Sequence, residues 1–318
     1  MTIGGKMKEI QKRPIREALT HYDVKNPHID FIRHNENITC RITEGDNSYA
    51  LRIHLPVSGF SLALYEGDSP LERMKGEMEL LLHLSRTAPF PVQKPVPDNK
   101  GEYVTLLSDG TPCEMLQWIE GKPLEKDDTG RYAGDLAILA AQIHEASRGF
   151  TGKRLSYSRG LVRKMRTELD NAREQGHLSA ELRSVCGDVL SEVERIMTAL
   201  DEEPEAKSLI HADLSFGNVI QTAQGLAPID FSLSGFGYRA QECGMLASDY
   251  GDKEVQKLIR EKYEKESGIA IEKHHMEAFL SFSVLLFITA QHNRYGQEKW
   301  FRDSLMFWAK GIFGEVVG

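Results

Sequence analysis

A short polar motif between two apolar segments constrains this chain more than any other feature. His211, Asp213 and Asn218 follow one another with the spacing H-x-D-x-x-x-x-N, and Asp230 comes twelve residues later within an apolar run. Such a loop can supply an Asp that accepts a proton, and an Asn and an Asp that bind a metal ion, as kinase-type phosphoryl transfer requires. The alternative is a surface loop with an Asx turn at each polar residue. That alternative requires the whole constellation to be accidental.

Each polar residue of the motif has an expected role. We expect Asp213 to be the general base that orients an acceptor hydroxyl and takes its proton. Asn218 and Asp230 are the predicted ligands of Mg²⁺, which prefers hard oxygen ligands and keeps several waters. We expect His211 to be a scaffold residue that hydrogen-bonds backbone near the loop.

The composition limits the classes of partner. The chain has 318 residues, enough for two lobes, and a net charge of −8. This charge argues against a general nucleic-acid binder and is compatible with a cationic substrate. Four dispersed cysteines form no CxxC motif, so reduced thiols are expected. With no visible secretory signal, and an apolar stretch at 279–290 too short to span a bilayer, we expect a cytoplasmic protein without a membrane partner.

The predicted elements divide the chain into two parts. Alternation over 29–55 predicts a hairpin, and apolar spacing over 70–86 predicts a helix. The pattern breaks at Gly121, where we place the lobe boundary. Further elements are two strands, 102–107 and 112–118; helices over 129–147, 159–175, 178–200, 253–266, 271–292 and 297–312; and strands near 207–211, 218–221 and 226–230. We therefore expect an α+β, bilobal fold. Its N-lobe, 1–120, is a mainly antiparallel sheet with one helix, and its larger C-lobe, 121–318, is mostly helical.

These motifs resemble those of the aminoglycoside phosphotransferase and choline kinase family. The resemblance rests on His211 to Asn218 and on Ile229 to Gly237, and it extends to the segments 36–42, 49–54 and 76–77. That family has a protein-kinase-like fold and phosphorylates hydroxyls of small molecules with ATP. The resemblance therefore implies ATP and Mg²⁺ as cofactors, a small-molecule acceptor, and a nucleotide in the cleft between the lobes.

The resemblance also implies nucleotide-binding residues in the N-lobe. Arg52 stands where kinases carry a strand lysine that reaches the phosphates, and Glu77 is its expected partner on the following helix. The alternative for this pair is two exposed charges. Asn37 and Thr39 are assigned to the phosphate-covering turn, although no glycine-rich loop is present. Gln117 and Ile119 occupy the expected connector, where backbone groups meet adenine.

Two alternative functions, a protein kinase and a nucleotide-binding pseudo-enzyme, are less consistent with the sequence than a small-molecule kinase. A protein kinase is disfavoured because Ala212 and Ser215 stand where protein kinases carry Arg and Lys, and because no A-P-E triplet follows. A nucleotide-binding pseudo-enzyme is disfavoured because the three chemical positions of the motif are intact. Ser232 stands where many members carry a second acidic residue, which leaves the number of metal ions open.

Two further features are given structural interpretations. We expect His144, near a helix end, to be a structural histidine rather than a ligand. The segment 235–237, Gly-Phe-Gly, is too short for a dinucleotide fingerprint, and we interpret it as a turn after the metal-binding strand.

Overall fold

The N-terminal part of the chain is built around a mixed β-sheet. In the computed structural model, which describes residues 2–4, 9–57, 63–65, 69–125 and 129–317, seven strands form this sheet in the order β1-β2-β3-β4-β7-β5, with β6 paired to β7. The strands are β1 (Thr2–Gly4), β2 (His28–His34), β3 (Ile38–Glu44), β4 (Asn47–Ile53), β5 (Pro95–Val96), β6 (Thr105–Leu106) and β7 (Pro112–Gln117). Only β1 and β2 pair in parallel; the other described pairs of this sheet are antiparallel.

Local sequence explains the hairpin and the helix that carry the N-terminal site residues. Gly45 adopts a φ of +58° in the turn between β3 and β4, a left-handed conformation that glycine tolerates best. Helix α2 (Pro70–Thr87) begins after Ser69, whose side chain accepts the N–H of Glu72. The predicted hairpin and the predicted helix are both confirmed.

The C-terminal part is mostly helical, with two small three-stranded sheets. Its helices are α3 (Ala133–Ala146), α4 (Arg159–Glu174), α5 (Ala180–Leu200), α6 (Arg239–Ala247), α7 (Lys253–Ser267), α8 (Lys273–Tyr295), α9 (Lys299–Trp308) and α10 (Gly314–Val317). The strands β8 (Lys122–Pro123), β9 (Leu155–Ser156), β10 (Lys207–Ile210), β11 (Val219–Thr222), β12 (Gly225–Pro228) and β13 (Gly235–Tyr238) form the sheets β10-β13-β9 and β12-β11-β8. This arrangement confirms the predicted α+β class, while the lobe boundary near residue 120 stays a prediction. No helix in the described ranges is long and apolar enough to cross a membrane.

Three elements differ from the sequence prediction. Residues 235–237, interpreted as a turn, belong to strand β13, because a Cβ at Gly235 would lie 2.5 Å from the Leu155 carbonyl oxygen and only glycine lets β13 approach β9. The strand predicted over 102–107 is reduced to β6. Helix α1 (Glu9–Leu19), which was not predicted, packs Ile15 and Ala18 into the core beneath the sheet.

Candidate active site

The loop between β10 and β11 brings two of the predicted residues into direct contact. The Asn218 side-chain amide donates to Oδ2 of Asp213 at 2.7 Å and to its backbone carbonyl at 3.0 Å. The backbone carbonyl of Asn218 accepts the N–H of Ile229 at 2.9 Å. This bond connects the loop to the residue that precedes Asp230. The two halves of the motif therefore lie side by side.

Asp230 is held between two arginines from the N-terminal sheet. Its backbone has a φ of +63°, a left-handed conformation that is costly for a non-glycine residue and is often found at functional sites. Arg33 Nη2 lies 2.5 Å from one carboxylate oxygen and Arg52 Nη2 lies 3.3 Å from the other. Burial acts to raise the pKa of Asp230, but the two guanidinium groups hold it below its usual range. Asp230 is therefore an anion in a position that attracts positive charge.

Arg52 is the centre of a buried charge cluster. Its Nη1 lies 2.6 Å from Glu77 on α2 and 2.8 Å from Glu114 on β7, and all three side chains are buried. Burial acts to lower the pKa of Arg52, yet the carboxylates around it raise the pKa well above its usual value. The alternative of two exposed charges for Arg52 and Glu77 is wrong. Glu114 was not predicted as part of this cluster. The signal that could have identified it is its position as the one acidic residue in β7, a strand that is otherwise mostly apolar.

A buried hydrogen-bond network supports the loop from the side of α6. The Glu242 carboxylate accepts the backbone N–H groups of His211 at 2.5 Å and Ala212 at 3.2 Å, and Ala212 has a φ of +62°. His144 Nε2 lies 3.5 Å from Glu242, and its Nδ1 is 2.7 Å from the Tyr263 hydroxyl. Burial lowers the pKa of His144, so the ring is neutral and its contacts are internal. Glu242 was not predicted from the sequence.

His211 connects the two segments of the motif. Its Nε2 donates to the Ile229 carbonyl at 3.1 Å, and its Nδ1 accepts the N–H of Asp213 at 3.3 Å. The ring packs against Phe231 with centroids 4.5 Å apart. Burial lowers the pKa of His211, which keeps it neutral. These contacts are those of a scaffold residue, as the sequence predicts.

Arg154 holds the segment that follows Asp230. Its buried guanidinium donates to the backbone carbonyls of Phe231 at 2.5 Å, Ser232 at 3.0 Å and Ser234 at 3.1 Å. A fourth bond, 2.9 Å long, reaches the Arg73 carbonyl on α2. The segment is thereby fixed to the helix that carries Glu77.

A cavity of about 350 Å³ joins the predicted phosphate and metal residues. Its lining includes Asn37 from the turn after β2 together with Asp213, Asn218 and Asp230. The further lining residues are Arg33, Asn35, Glu36, Thr39, Ser215, Gly217, Ser232 and Leu233. The predicted connector residues Gln117 and Ile119 do not line this cavity. The sequence thus predicted five residues of the cavity, Asn37, Thr39, Asp213, Asn218 and Asp230, and missed Arg33 and Glu36.

Asp213 has the electrostatic properties of a proton acceptor near neutral pH. Burial, reinforced by the nearby charge of Asp230, raises the pKa of Asp213 to about 7, against the opposing effect of the Asn218 hydrogen bond. A base is most effective when its pKa lies near the working pH.

The donor groups at this cavity fit Mg²⁺. Asn218 and Asp230 offer amide and carboxylate oxygens, the ligand types that Mg²⁺ prefers. Within the described parts of the chain, no group of three or more His, Cys, Asp or Glu side chains could hold a metal ion. An ion at Asn218 and Asp230 would therefore complete its shell with water and phosphate oxygens, as Mg²⁺ does in nucleotide sites.

A second cavity, of about 360 Å³, is also lined by the loop between β10 and β11. It shares Asp213 and Ser215 with the first cavity, and it adds the carboxylate of Asp249. Phe287 and Trp308 line it with ring centroids 6.1 Å apart. The remaining lining residues are Ala212, Leu214, Met245, Ser248, Ser283 and Val284. The two cavities thus meet at Asp213.

The chain is similar to known proteins in sequence and in fold. The model of the phosphotransferase enzyme family matches residues 28–279. Among solved structures, the chain is similar to a microcompartment-associated aminopropanol kinase, with a TM-score of 0.74, 20% identity and 95% of each chain covered.

Two further structures are similar to the chain over nearly its whole length. For an amicoumacin kinase in complex with AMP-PNP and Ca²⁺, the TM-score is 0.75 at 17% identity, covering 96% of this chain and 93% of the other. For the choline kinase of Cryptosporidium parvum, the TM-score is 0.68 at 13% identity, and 96% of each chain is covered. These likenesses confirm the predicted kinase-like fold. Comparison with curated protein sequences gave no match.

Proposed function

The chain belongs to the phosphotransferase enzyme family, and we propose that it transfers the γ-phosphate of MgATP to the hydroxyl of a small cationic alcohol. Family membership confirms the predicted small-molecule kinase. The magnesium ion, the residue roles and the charge of the acceptor are proposals. The observation that carries them is the meeting of two chemically different cavities at Asp213.

The first cavity suits a nucleotide and its metal ion. Asn218 and Asp230 would hold Mg²⁺, which supplies positive charge against the phosphates when it is bound. Arg52, which the resemblance assigns to the phosphates, pairs with the Asp230 carboxylate from β4 but does not itself line this cavity. The solved kinases similar to this chain include one crystallised with AMP-PNP and Ca²⁺ and one with ADP, which supports a nucleotide here.

Asp213 would act on the acceptor hydroxyl. Its carboxylate is oriented by Asn218 and borders both cavities, so a hydroxyl in the second cavity can hydrogen-bond to it while facing the first. The hydroxyl oxygen attacks the γ-phosphorus, the bond to the ADP oxygen breaks, and Asp213 takes the hydroxyl proton. Positioning of the hydroxyl contributes most, because the transition state of phosphoryl transfer is loose.

The second cavity suits a small cation. Asp213 and Asp249 give it two carboxylates, and Phe287 and Trp308 supply aromatic surfaces that attract ammonium groups. Its volume lies at the lower end of small-molecule sites, which favours a compact acceptor. Aminopropanol, choline and ethanolamine kinases are among the similar structures, and their named substrates are small amino alcohols.

A panel of matched alcohols tests the proposal by ADP release. Choline, ethanolamine and 1-amino-2-propanol are each compared with a neutral alcohol of the same shape, such as 3,3-dimethylbutanol for choline. We expect at least one cation to be phosphorylated with kcat/KM about tenfold or more above its neutral partner, the effect of one charge contact. In Asp249→Asn this preference should shrink, whereas the distant Glu261→Gln should retain it.

The outcome separates the alternatives. Phosphorylation of neutral alcohols with no preference for cations would contradict the proposed acceptor class while leaving the kinase intact. ATP binding without ADP release across a broad panel of hydroxyl compounds would instead favour a nucleotide-binding pseudo-enzyme.

A further inference from the structure

We propose that Arg33 is a phosphate-binding residue, which exchanges its ion pair with Asp230 for the phosphates of ATP when a metal ion occupies Asp230. This inference rests on the proposed function, because it requires MgATP in the cavity beside Asp213. Arg33 lies 197 residues from Asp230 in the chain, outside every motif that the sequence singled out.

A β-bulge directs Arg33 into the cavity. The pairing register of β2 with β3 shifts between Phe31 and Arg33, so Ile32 is an extra residue in the strand. Bulges change the direction of the side chains that follow them and are frequent beside active sites. Arg33 pairs with Thr39, another lining residue, and its guanidinium reaches Asp230 at 2.5 Å. The strand irregularity thus places a cation at the predicted metal ligand.

The distribution of charge in the cavity favours Arg33 as the phosphate-binding residue. Among the described residues that line the cavity, Arg33 carries the only positive charge, against the carboxylates of Glu36, Asp213 and Asp230. Arg52 does not line the cavity, and its guanidinium is already paired with two buried glutamates. A triphosphate brings several negative charges into this acidic site, so it needs a cation that can turn toward it.

The Arg33 side chain is able to make this exchange. A metal ion on Asp230 competes for the oxygen that Arg33 now contacts, and the guanidinium is then released. The Arg33 side chain is 45% exposed, so it can move without disturbing the core. Its planar fork can then donate two parallel hydrogen bonds to phosphate oxygens, which a point charge cannot do.

Calorimetric titration of wild type and Arg33→Gln tests the proposal without turnover. The ligands are AMP-PNP with Mg²⁺ and, separately, adenosine. We expect the Kd for Mg-AMP-PNP to rise about 10- to 100-fold in Arg33→Gln, the effect of losing a charge-assisted phosphate contact. The Kd for adenosine should not change, and Arg33→Lys should recover part of the lost affinity.

Arg159→Gln is the matched control. Arg159 pairs with Asp201 at 3.4 Å and its side chain is 47% exposed, so it presents a similar ion pair away from the cavity. The control should bind Mg-AMP-PNP as wild type does. Unchanged affinity in Arg33→Gln would overturn the proposal, and tighter binding would also overturn it by showing that Arg33 only blocks the metal position. Absence of Mg-AMP-PNP binding in wild type would overturn the proposed function itself.

Discussion

Replacement of Glu242 by glutamine should loosen the loop between β10 and β11. The carboxylate accepts two backbone N–H groups, from His211 at 2.5 Å and from Ala212 at 3.2 Å. The Oε2 atom of Glu242 accepts the His211 N–H and also lies 3.3 Å from the Ala212 nitrogen, so a glutamine oxygen in its place keeps His211 paired. The glutamine NH₂ group then stands at the position of Oε1, where it faces the Ala212 N–H instead of accepting from it. A buried hydrogen bond to a charged group is worth about 1.5–3 kcal/mol, and the donor left unpaired costs more, so we expect a loss of about 2–4 kcal/mol. The left-handed backbone of Ala212 then loses part of its support.

Amide hydrogen exchange measures this effect at the site. A loss of about 2–4 kcal/mol corresponds to exchange of the His211 and Ala212 amides about 30- to 1,000-fold faster than in wild type. Glu261→Gln, an exposed substitution on α7, is the control and should leave these amides unchanged. Exchange at the two amides within about threefold of wild type in Glu242→Gln would refute the reasoning, because the carboxylate would not be supporting the loop.

Further variants test other parts of the site. Asp230→Ala should abolish the part of the ATP-induced increase in melting temperature that depends on Mg²⁺. His211→Ala should mainly lower the melting temperature of the protein. A His211→Ala variant with unchanged melting temperature and no turnover would contradict the scaffold role of His211. Arg52→Lys should lower the free energy of unfolding by about 1–3 kcal/mol in urea titration, because one ammonium group cannot replace the hydrogen bonds that the planar fork donates to both Glu77 and Asp230. Burial lowers the pKa of His144 in the folded protein. Below pH ~6.5 the unfolded chain therefore binds a proton at this residue that the folded chain does not bind. The free energy of unfolding is highest above pH ~6.5 and decreases as the pH falls. The melting temperature of His144→Gln should therefore fall less between pH 7 and 5 than that of wild type; equal falls would contradict this.

The sequence predicted those parts of the site that depend on local chain geometry. Asp213 and Asn218 lie five residues apart on one loop, and Asp230 follows the next hairpin, so their proximity depends on short connections. The pairing of Arg52 with Glu77 was predicted from the resemblance, and the structure has it at 2.6 Å.

The remaining residues depend on pairing between distant segments. Arg33 reaches Asp230 through a bulge, and Glu114 meets Arg52 through the register of β4 with β7; a shift of one residue would turn either side chain away. Glu242 contacts the loop only because α6 packs beneath it. The apolar periodicity of a single segment does not predict such contacts, because it does not determine how distant segments pair.

Helix α1 has a sequence pattern that is consistent with its structure. Ile15, Ala18 and Leu19 have helical spacing, and all three are buried against the sheet. Charged residues surround these positions in the sequence and obscure the apolar spacing.

The central claim, phosphoryl transfer from MgATP to a hydroxyl oriented by Asp213, is tested most directly by one comparison. The measurement is kcat for the best cationic alcohol beside the Kd for Mg-AMP-PNP, in wild type and Asp213→Asn. The account predicts a nearly unchanged Kd, because Asp213 faces the acceptor, and a kcat lower by about 10²–10⁴, the usual contribution of a positioned base. An unchanged kcat would remove Asp213 from the mechanism, and loss of nucleotide binding would make it a metal-binding or structural residue instead.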